Sequence, residues 1–77
     1  MEPALPFHDR DLPGVMHHAD CSLCDWDEYD NRQIAQVLAV LHVIEKHPEA
    51  YRESTGKDPD QSKFEYREMY EALKARL

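Results

Sequence analysis

The chain has 77 residues, enough for a single domain, and its two cysteines and two glycines exclude a disulfide-rich framework and a glycine-rich phosphate loop. The net charge of −7 arises within residues 1–30, which contain eight acidic side chains and one arginine, whereas residues 31–77 are neutral. This acidic first part argues against a general attraction to nucleic-acid phosphates, which depends on lysine and arginine.

The size of the chain predicts that its core needs reinforcement. A domain this short buries only about 60% of the surface of its unfolded chain, and such domains commonly add a metal or a disulfide. The opening Met-Glu-Pro-Ala-Leu-Pro lacks the basic start and apolar segment of a secretory signal. The longest apolar run, 34–44, is too short to span a bilayer. We therefore expect a cytoplasmic protein without membrane association, in which paired cysteines bind metal or act in redox chemistry more often than they form disulfides.

Residues 1–14 contain three prolines, one glycine and no hydrophobic periodicity. This composition predicts a flexible, acidic, proline-rich tail, followed by a single domain over 15–77. The apolar residues of this tail that could dock on the core are Leu5, Phe7 and Leu12.

A cysteine turn opens the predicted domain. A short strand over 15–19 leads into Cys21-Ser22-Leu23-Cys24, where backbone N–H groups are expected to point at the sulfurs. The turn could belong to a short β-hairpin. Trp26 and Tyr29 follow and could shield a metal from water. The acidic residues around them, Asp25, Asp27 and Asp30, faintly resemble a calcium loop but lack its central glycine and terminal glutamate, so a solvated acidic turn is favoured.

The central helix is predicted from Asp30 or Asn31, either of which is a good N-cap, to about Lys46. Its apolar residues extend almost around the cylinder, so other elements should cover it on more than one side. Pro48 disfavours helical geometry at His47 and should end or distort the helix there.

Two further helices are predicted after Pro48. The proline suits the first position of a short helix over 48–53, with Gly56 as its C-terminal cap. A last helix, 60–77, is expected to open with a capping box formed by Ser62 and Glu65. It is amphipathic and should pack against the central helix through a stripe formed by Tyr66, Met69, Tyr70, Leu73 and Leu77.

The cysteine turn and the end of the central helix together carry a complete set of metal ligands. Cys21 and Cys24 are followed after seventeen residues by His42, and after four more by His47. Two thiolates and two imidazoles are a common ligand set for tetrahedral zinc. Residues five apart lie about 140° apart around an ideal helix, so both histidines can face one ion only if the last turn loosens before Pro48.

This spacing resembles the two-Cys/two-His zinc-finger family, in the divergent form found in small bacterial and phage proteins. The resemblance implies one structural zinc, a cysteine knuckle and a helix that carries the histidines. Familiar DNA-reading fingers have about twelve residues between the second cysteine and the first histidine, so the register here differs from theirs.

Three alternatives to this ligand set remain open. The cysteines could be ordinary buried residues. They could form a redox pair, although no βαβ pattern surrounds them. Zinc could also be bound with His17 or His18 in place of His47, because spacing alone does not determine the ligands.

The sequence therefore predicts a mainly α-helical, small domain held together by zinc, in which a cysteine knuckle packs on a central helix and a C-terminal helix follows. A site with four protein ligands leaves no position for an activated water, so we expect a structural metal and no enzymatic activity. We expect a monomer or weak homodimer that mediates protein–protein interaction. The alternatives are DNA mimicry by the acidic half and nucleic-acid binding through a basic stripe on the last helix, formed by Lys63, Arg67 and Lys74.

Overall fold

A computed structural model describes residues 5–14 and 16–76, in which three strands precede three helices. The strands are β1 (Phe7–Asp11), β2 (His17–Cys21) and β3 (Asp27–Asp30). The helices are α1 (Arg32–Lys46), α2 (Pro48–Thr55) and α3 (Pro59–Ala75). The fold is mainly helical, as predicted, with a small sheet packed on its central helix.

The three strands form one antiparallel sheet in the order β1-β2-β3. Phe7 of β1 lies opposite Cys21 at one end of β2, and His17 at the other end lies opposite Asp30 of β3. The β2–β3 pair is the short hairpin that the cysteine turn suggested, and the turn forms its loop. Bounds were not predicted for β3, and β1 was not predicted at all, because both are short, polar strands without an apolar alternation.

The prediction of a flexible tail is wrong for residues 7–11, which form β1 and pair with β2 along their whole length. Gly14 makes the reversal between the two strands possible, because its φ of 86° lies in the left-handed region. Leu5 and Phe7 pack against the core, as predicted for the apolar residues of this segment. Residues 1–4 of the predicted tail lie outside the described residues.

α1 is the centre of the domain and is covered on two sides, as its apolar surface predicted. Asn31 is its N-cap, and the side chain accepts a hydrogen bond from the Ile34 N–H at 2.9 Å. Towards the sheet, Ala35 and Ala39 are fully buried against Ala19 of β2. Small side chains at these positions let the helix lie close to the strand.

A second, adjoining face of α1 packs against the two later helices. Val40, Val43 and Ile44 form a buried cluster with Tyr51 of α2, and Tyr66 of α3 packs against it. Tyr70 and Leu73 of the predicted stripe are half-buried, whereas Met69 is 47% exposed. The last residue of the stripe, Leu77, lies outside the described residues. Within the described ranges, no helix is both long enough and apolar enough to cross a membrane.

Local sequence features determine where α2 begins and ends and where α3 begins. α2 begins at Pro48 and is capped by Gly56 in the left-handed conformation, as predicted. The predicted capping box is wrong, because α3 begins at Pro59 and its N-cap is Asp58, whose side chain accepts from the Asp60 N–H. Ser62 is instead buried within the first turns of α3.

Candidate metal centre

The four predicted ligands come together at one end of α1. Cys21, Cys24, His42 and His47 each offer one ligand atom, and these four atoms lie within 4.8 Å of one another. Two of them come from the β2–β3 hairpin and two from the end of α1 and the residue that follows it. A group of two thiols and two imidazoles in this arrangement could hold a metal ion.

The hairpin positions the two thiols. Cys21 is the last residue of β2 and is 6% exposed, and its N–H donates to the Trp26 carbonyl at 2.9 Å, which closes the loop. The Leu23 N–H donates to the Cys21 Sγ at 3.3 Å, as predicted for a cysteine turn. Cys24 lies in the loop and is exposed, and neither cysteine forms a disulfide.

α1 positions His42 beside the loop. Its Nε2 lies 3.2 Å from the Sγ of Cys24. The ring of Trp26 stacks on the imidazole with centroids 4.7 Å apart and planes inclined by 12°, which orients the ring and covers one face of it. Tyr29, the second aromatic residue expected to shield the site, is 52% exposed and stacks on His18 instead.

His47 reaches the cluster because it is no longer helical. Its backbone angles are φ −135° and ψ 57°, between the end of α1 and the start of α2 at Pro48. This confirms that the helix ends before the proline, and the break brings the two imidazole centroids to 5.2 Å. The Nε2 of His47 is buried without a hydrogen-bond partner among the described residues. A buried polar atom of this kind costs about 1–3 kcal/mol, and a metal ion would satisfy it.

Burial shapes the electrostatics of the cluster. Burial, together with the nearby His47 and Lys46, lowers the pKa of His42, which favours the neutral imidazole, whose lone pair can bind a metal. Burial raises the pKa of the Cys21 thiol, and the Leu23 N–H opposes this only in part. A bound cation reverses that effect, because a coordinating thiol is deprotonated.

Neither alternative histidine belongs to the cluster. Both ring nitrogens of His17 face carboxylates of β1, and His18 lies 3.4 Å from an Asp27 oxygen. The acidic residues 25–30 form part of the hairpin, and the described part of the chain contains no second group of three or more residues whose ligand atoms all lie close to one another. Sequence reasoning missed the carboxylates that hold His17. The sequence held a partial signal, since Asp9 and Asp11 are two apart and would share one face of a strand, but this spacing does not indicate His17 as their partner.

The predicted basic stripe is partly engaged within the domain. Lys63 Nζ and Arg67 Nη2 lie 3.6 and 3.4 Å from the same oxygen of Glu45 on α1. Lys74 Nζ lies 5.3 Å from the ring centroid of Tyr70. The first two cations therefore connect α3 to α1 through an acid that the sequence did not identify as their partner.

Comparison of the chain with protein-family models, with curated proteins and with solved structures found no match. The resemblance to two-Cys/two-His fingers therefore depends on the ligand spacing and on the convergence of the four side chains.

Proposed function

We propose that this chain is a small zinc-binding module in which the metal is structural and the folded surface binds another protein. The observation that carries the proposal is the convergence of Cys21, Cys24, His42 and His47, with the Nε2 of His47 buried and without a hydrogen-bond partner in the described part of the chain. Thiolate and imidazole ligands together favour zinc over the hard cations, which prefer oxygen.

The spacing of the donor atoms supports a tetrahedral site. Zinc bonds of about 2.0–2.3 Å place donor atoms roughly 3.3–3.8 Å from one another. The four atoms lie within 4.8 Å, and the sulfur of Cys24 is already 3.2 Å from the Nε2 of His42. Small side-chain rotations would close the remaining distance. Four protein ligands fill the coordination shell, so the metal would have no open position for catalysis.

The metal would act by joining two parts of the chain that are distant in sequence. The hairpin loop and the α1–α2 junction are separated by seventeen residues between Cys24 and His42. Structural zinc in small modules contributes on the order of 10 kcal/mol to folding, which exceeds the margin that a core of this size supplies. We therefore expect the module to lose its fold when the metal is removed.

Elemental analysis of the purified protein tests the metal. We expect one zinc per chain in the wild type and in His18→Gln, which replaces a histidine outside the cluster. Cys21→Ser and His47→Ala should lose the zinc. A wild-type protein without metal, or one in which His18→Gln loses zinc while His47→Ala keeps it, would contradict the ligand assignment.

Exposed apolar side chains support the proposed interaction with a protein. Phe64 on α3 is 78% exposed, and Leu23 at the tip of the cysteine turn is 52% exposed. Both lie on elements whose positions depend on the metal or on α1. Large aromatic and aliphatic residues in such positions are common anchors at protein interfaces.

The interaction is tested by affinity capture with the full chain and two variants. We expect Phe64→Ala to lose a specific partner while keeping its zinc, and the chelated wild type to lose the same partner. Thr55→Ala is a control on the exposed end of α2 and should retain it. Capture that is unchanged in both Phe64→Ala and the chelated protein would refute the proposal.

Nucleic-acid binding and DNA mimicry remain predictions from the sequence. Two of the three cations of the basic stripe are close to Glu45, so the observations favour the protein interaction. Binding of DNA at low salt that weakens in Lys63→Glu would reverse this preference.

A further inference from the structure

His17 of β2 is buried between two carboxylates of β1. Only 3% of the residue is exposed to solvent. The Nδ1 atom lies 2.7 Å from an oxygen of Asp11, and the Nε2 atom lies 2.7 Å from an oxygen of Asp9. This cluster shares no residue with the candidate metal centre and is independent of the proposed function.

The two contacts determine how many protons the imidazole carries. An ionised carboxylate only accepts hydrogen bonds, whereas a neutral imidazole has one N–H and one lone pair. A neutral His17 would therefore point a lone pair at one of the two carboxylates. Only the imidazolium, which has two N–H groups, donates to both at once.

The same cluster joins β1 to the rest of the domain. Asp9 also accepts a hydrogen bond from Nε2 of Gln36 on α1 at 2.9 Å. Two other charged groups lie near the cluster. The positive charge of Arg32 on α1 helps to lower the pKa of Asp9. Asp30 of β3 lies opposite His17 in the sheet. These contacts connect β1 both to β2 and to α1.

β1 in turn forms one wall of an apolar groove between α1 and α3. The groove has a volume of about 440 Å³, and Phe7 of β1 lines it together with Gln36, Tyr66 and Met69. The position of Phe7 depends on the pairing of β1 with β2. Phe7 lies at one end of this pair, and the His17 cluster stabilises the other end.

We propose that His17 is a proton-dependent switch: its protonated ring fastens β1 to β2 and α1, and loss of one proton loosens β1 together with the Phe7 wall of the groove. The charge on the ring makes the device sensitive to pH, and the burial of the ring limits the access of water to the nitrogen that loses its proton.

The direction of the pH dependence follows from the contacts. The hydrogen bond to Asp9 raises the pKa of His17 above its ordinary value of 6.5, against the opposing effect of burial. The hydrogen bonds from Gln36 and His17 lower the pKa of Asp9 below 3.8. The stabilisation by His17 is complete below pH 6.5 and is lost as the pH rises through the raised pKa. The contribution of Asp9 is complete above pH 3.8 and is lost as the pH falls through its lowered pKa.

NMR on the full-length, zinc-treated protein tests the switch. We expect both ring nitrogens of His17 to carry protons at pH 6. We also expect the pKa of the ring to lie above that of a histidine in an unstructured peptide. When amide exchange is corrected for its intrinsic dependence on pH, the protection of β1 should fall about tenfold on deprotonation, as for one lost charge-assisted hydrogen bond. Protection within α1 should change less.

Two variants separate the switch from a merely structural histidine. Asp11→Asn removes one carboxylate charge at an exposed position and should lower the titration midpoint of His17 while the protein stays folded. His8→Gln is the matched control on the exposed side of β1 and should leave both the midpoint and the protection unchanged. A single ring proton on His17 at pH 6, or a midpoint that is the same in Asp11→Asn and wild type, would overturn the proposal.

Discussion

At the scale of single residues, the two cysteines differ in their surroundings although both belong to the candidate metal centre. Cys21 is buried at the end of β2, whereas Cys24 is exposed in the hairpin loop. Replacing Cys21 removes packing and a ligand together. Replacing Cys24 mainly removes a ligand, so it isolates the contribution of the metal.

We therefore predict that Cys24→Ser destabilises the zinc-treated protein by several kcal/mol, because a site with three ligands binds zinc more weakly. In the presence of chelator, wild type and Cys24→Ser should be indistinguishable, because both lose the fold together with the metal. Denaturant titrations of the zinc-treated proteins measure the first effect, and circular dichroism in chelator checks the second. A zinc-treated Cys24→Ser that is as stable as the zinc-treated wild type would show that Cys24 does not act through a metal.

A second residue-scale prediction concerns the contact between α1 and the sheet. Ala39 is fully buried against Ala19 of β2 and leaves no room for a larger side chain. Ala39→Leu should destabilise the protein by about 1–3 kcal/mol through overpacking. Ala72→Leu adds the same atoms at an exposed position of α3 and should change stability little. Thermal unfolding of the two variants compares them directly, and a neutral Ala39→Leu would show that α1 can move away from β2.

At the scale of elements, the junction between α1 and α2 determines whether the two histidines can meet. His42 lies on the helix and His47 lies just beyond it, so the helix has to end between them. Pro48 disfavours helical geometry at His47 and starts α2 immediately afterwards. Pro48 therefore ends the helix and, by doing so, lets His47 reach the other three candidate ligands.

Pro48→Ala should let helical geometry extend through His47 and rotate its imidazole away from the other ligands. We expect zinc affinity to fall roughly tenfold, the lower end of the effect of losing a group that orients a metal ligand. Pro59→Ala, at the corresponding first position of α3, is the matched control and should leave zinc affinity unchanged. Competition with a chromogenic chelator measures both affinities. Unchanged binding in Pro48→Ala would mean that the cluster itself, rather than the proline, ends the helix.

At the scale of the whole molecule, a metal that binds only the folded state links stability to the free zinc concentration. For one site, each tenfold increase in free zinc above the dissociation constant adds about 1.4 kcal/mol to the free energy of unfolding. In a domain of this size, that corresponds to an increase of about 6–11 °C in the melting temperature. Magnesium should have no such effect, because it prefers oxygen ligands.

Thermal unfolding in a series of zinc buffers measures the slope of stability against the logarithm of free zinc. A slope for one ion per chain is expected for the wild type. The slope should disappear in Cys21→Ser. A wild-type slope near zero would show that zinc does not stabilise the folded protein.

The sequence by itself determined the features that depend on local chemistry. These include α1 with its Asn31 cap, α2 between Pro48 and Gly56, and the ligand spacing that identified the four residues of the candidate metal centre. Each depends on side chains within a few residues of one another, on proline and glycine geometry, or on the preference of thiolates and imidazoles for a metal. Only the tertiary structure decided which polar residues pair over long distances. Asp9 and Asp11 with His17, and Lys63 and Arg67 with Glu45, are contacts whose partners no local pattern specifies. The same is true of β1, because a polar strand is stable only when a neighbouring strand supplies its hydrogen-bond partners.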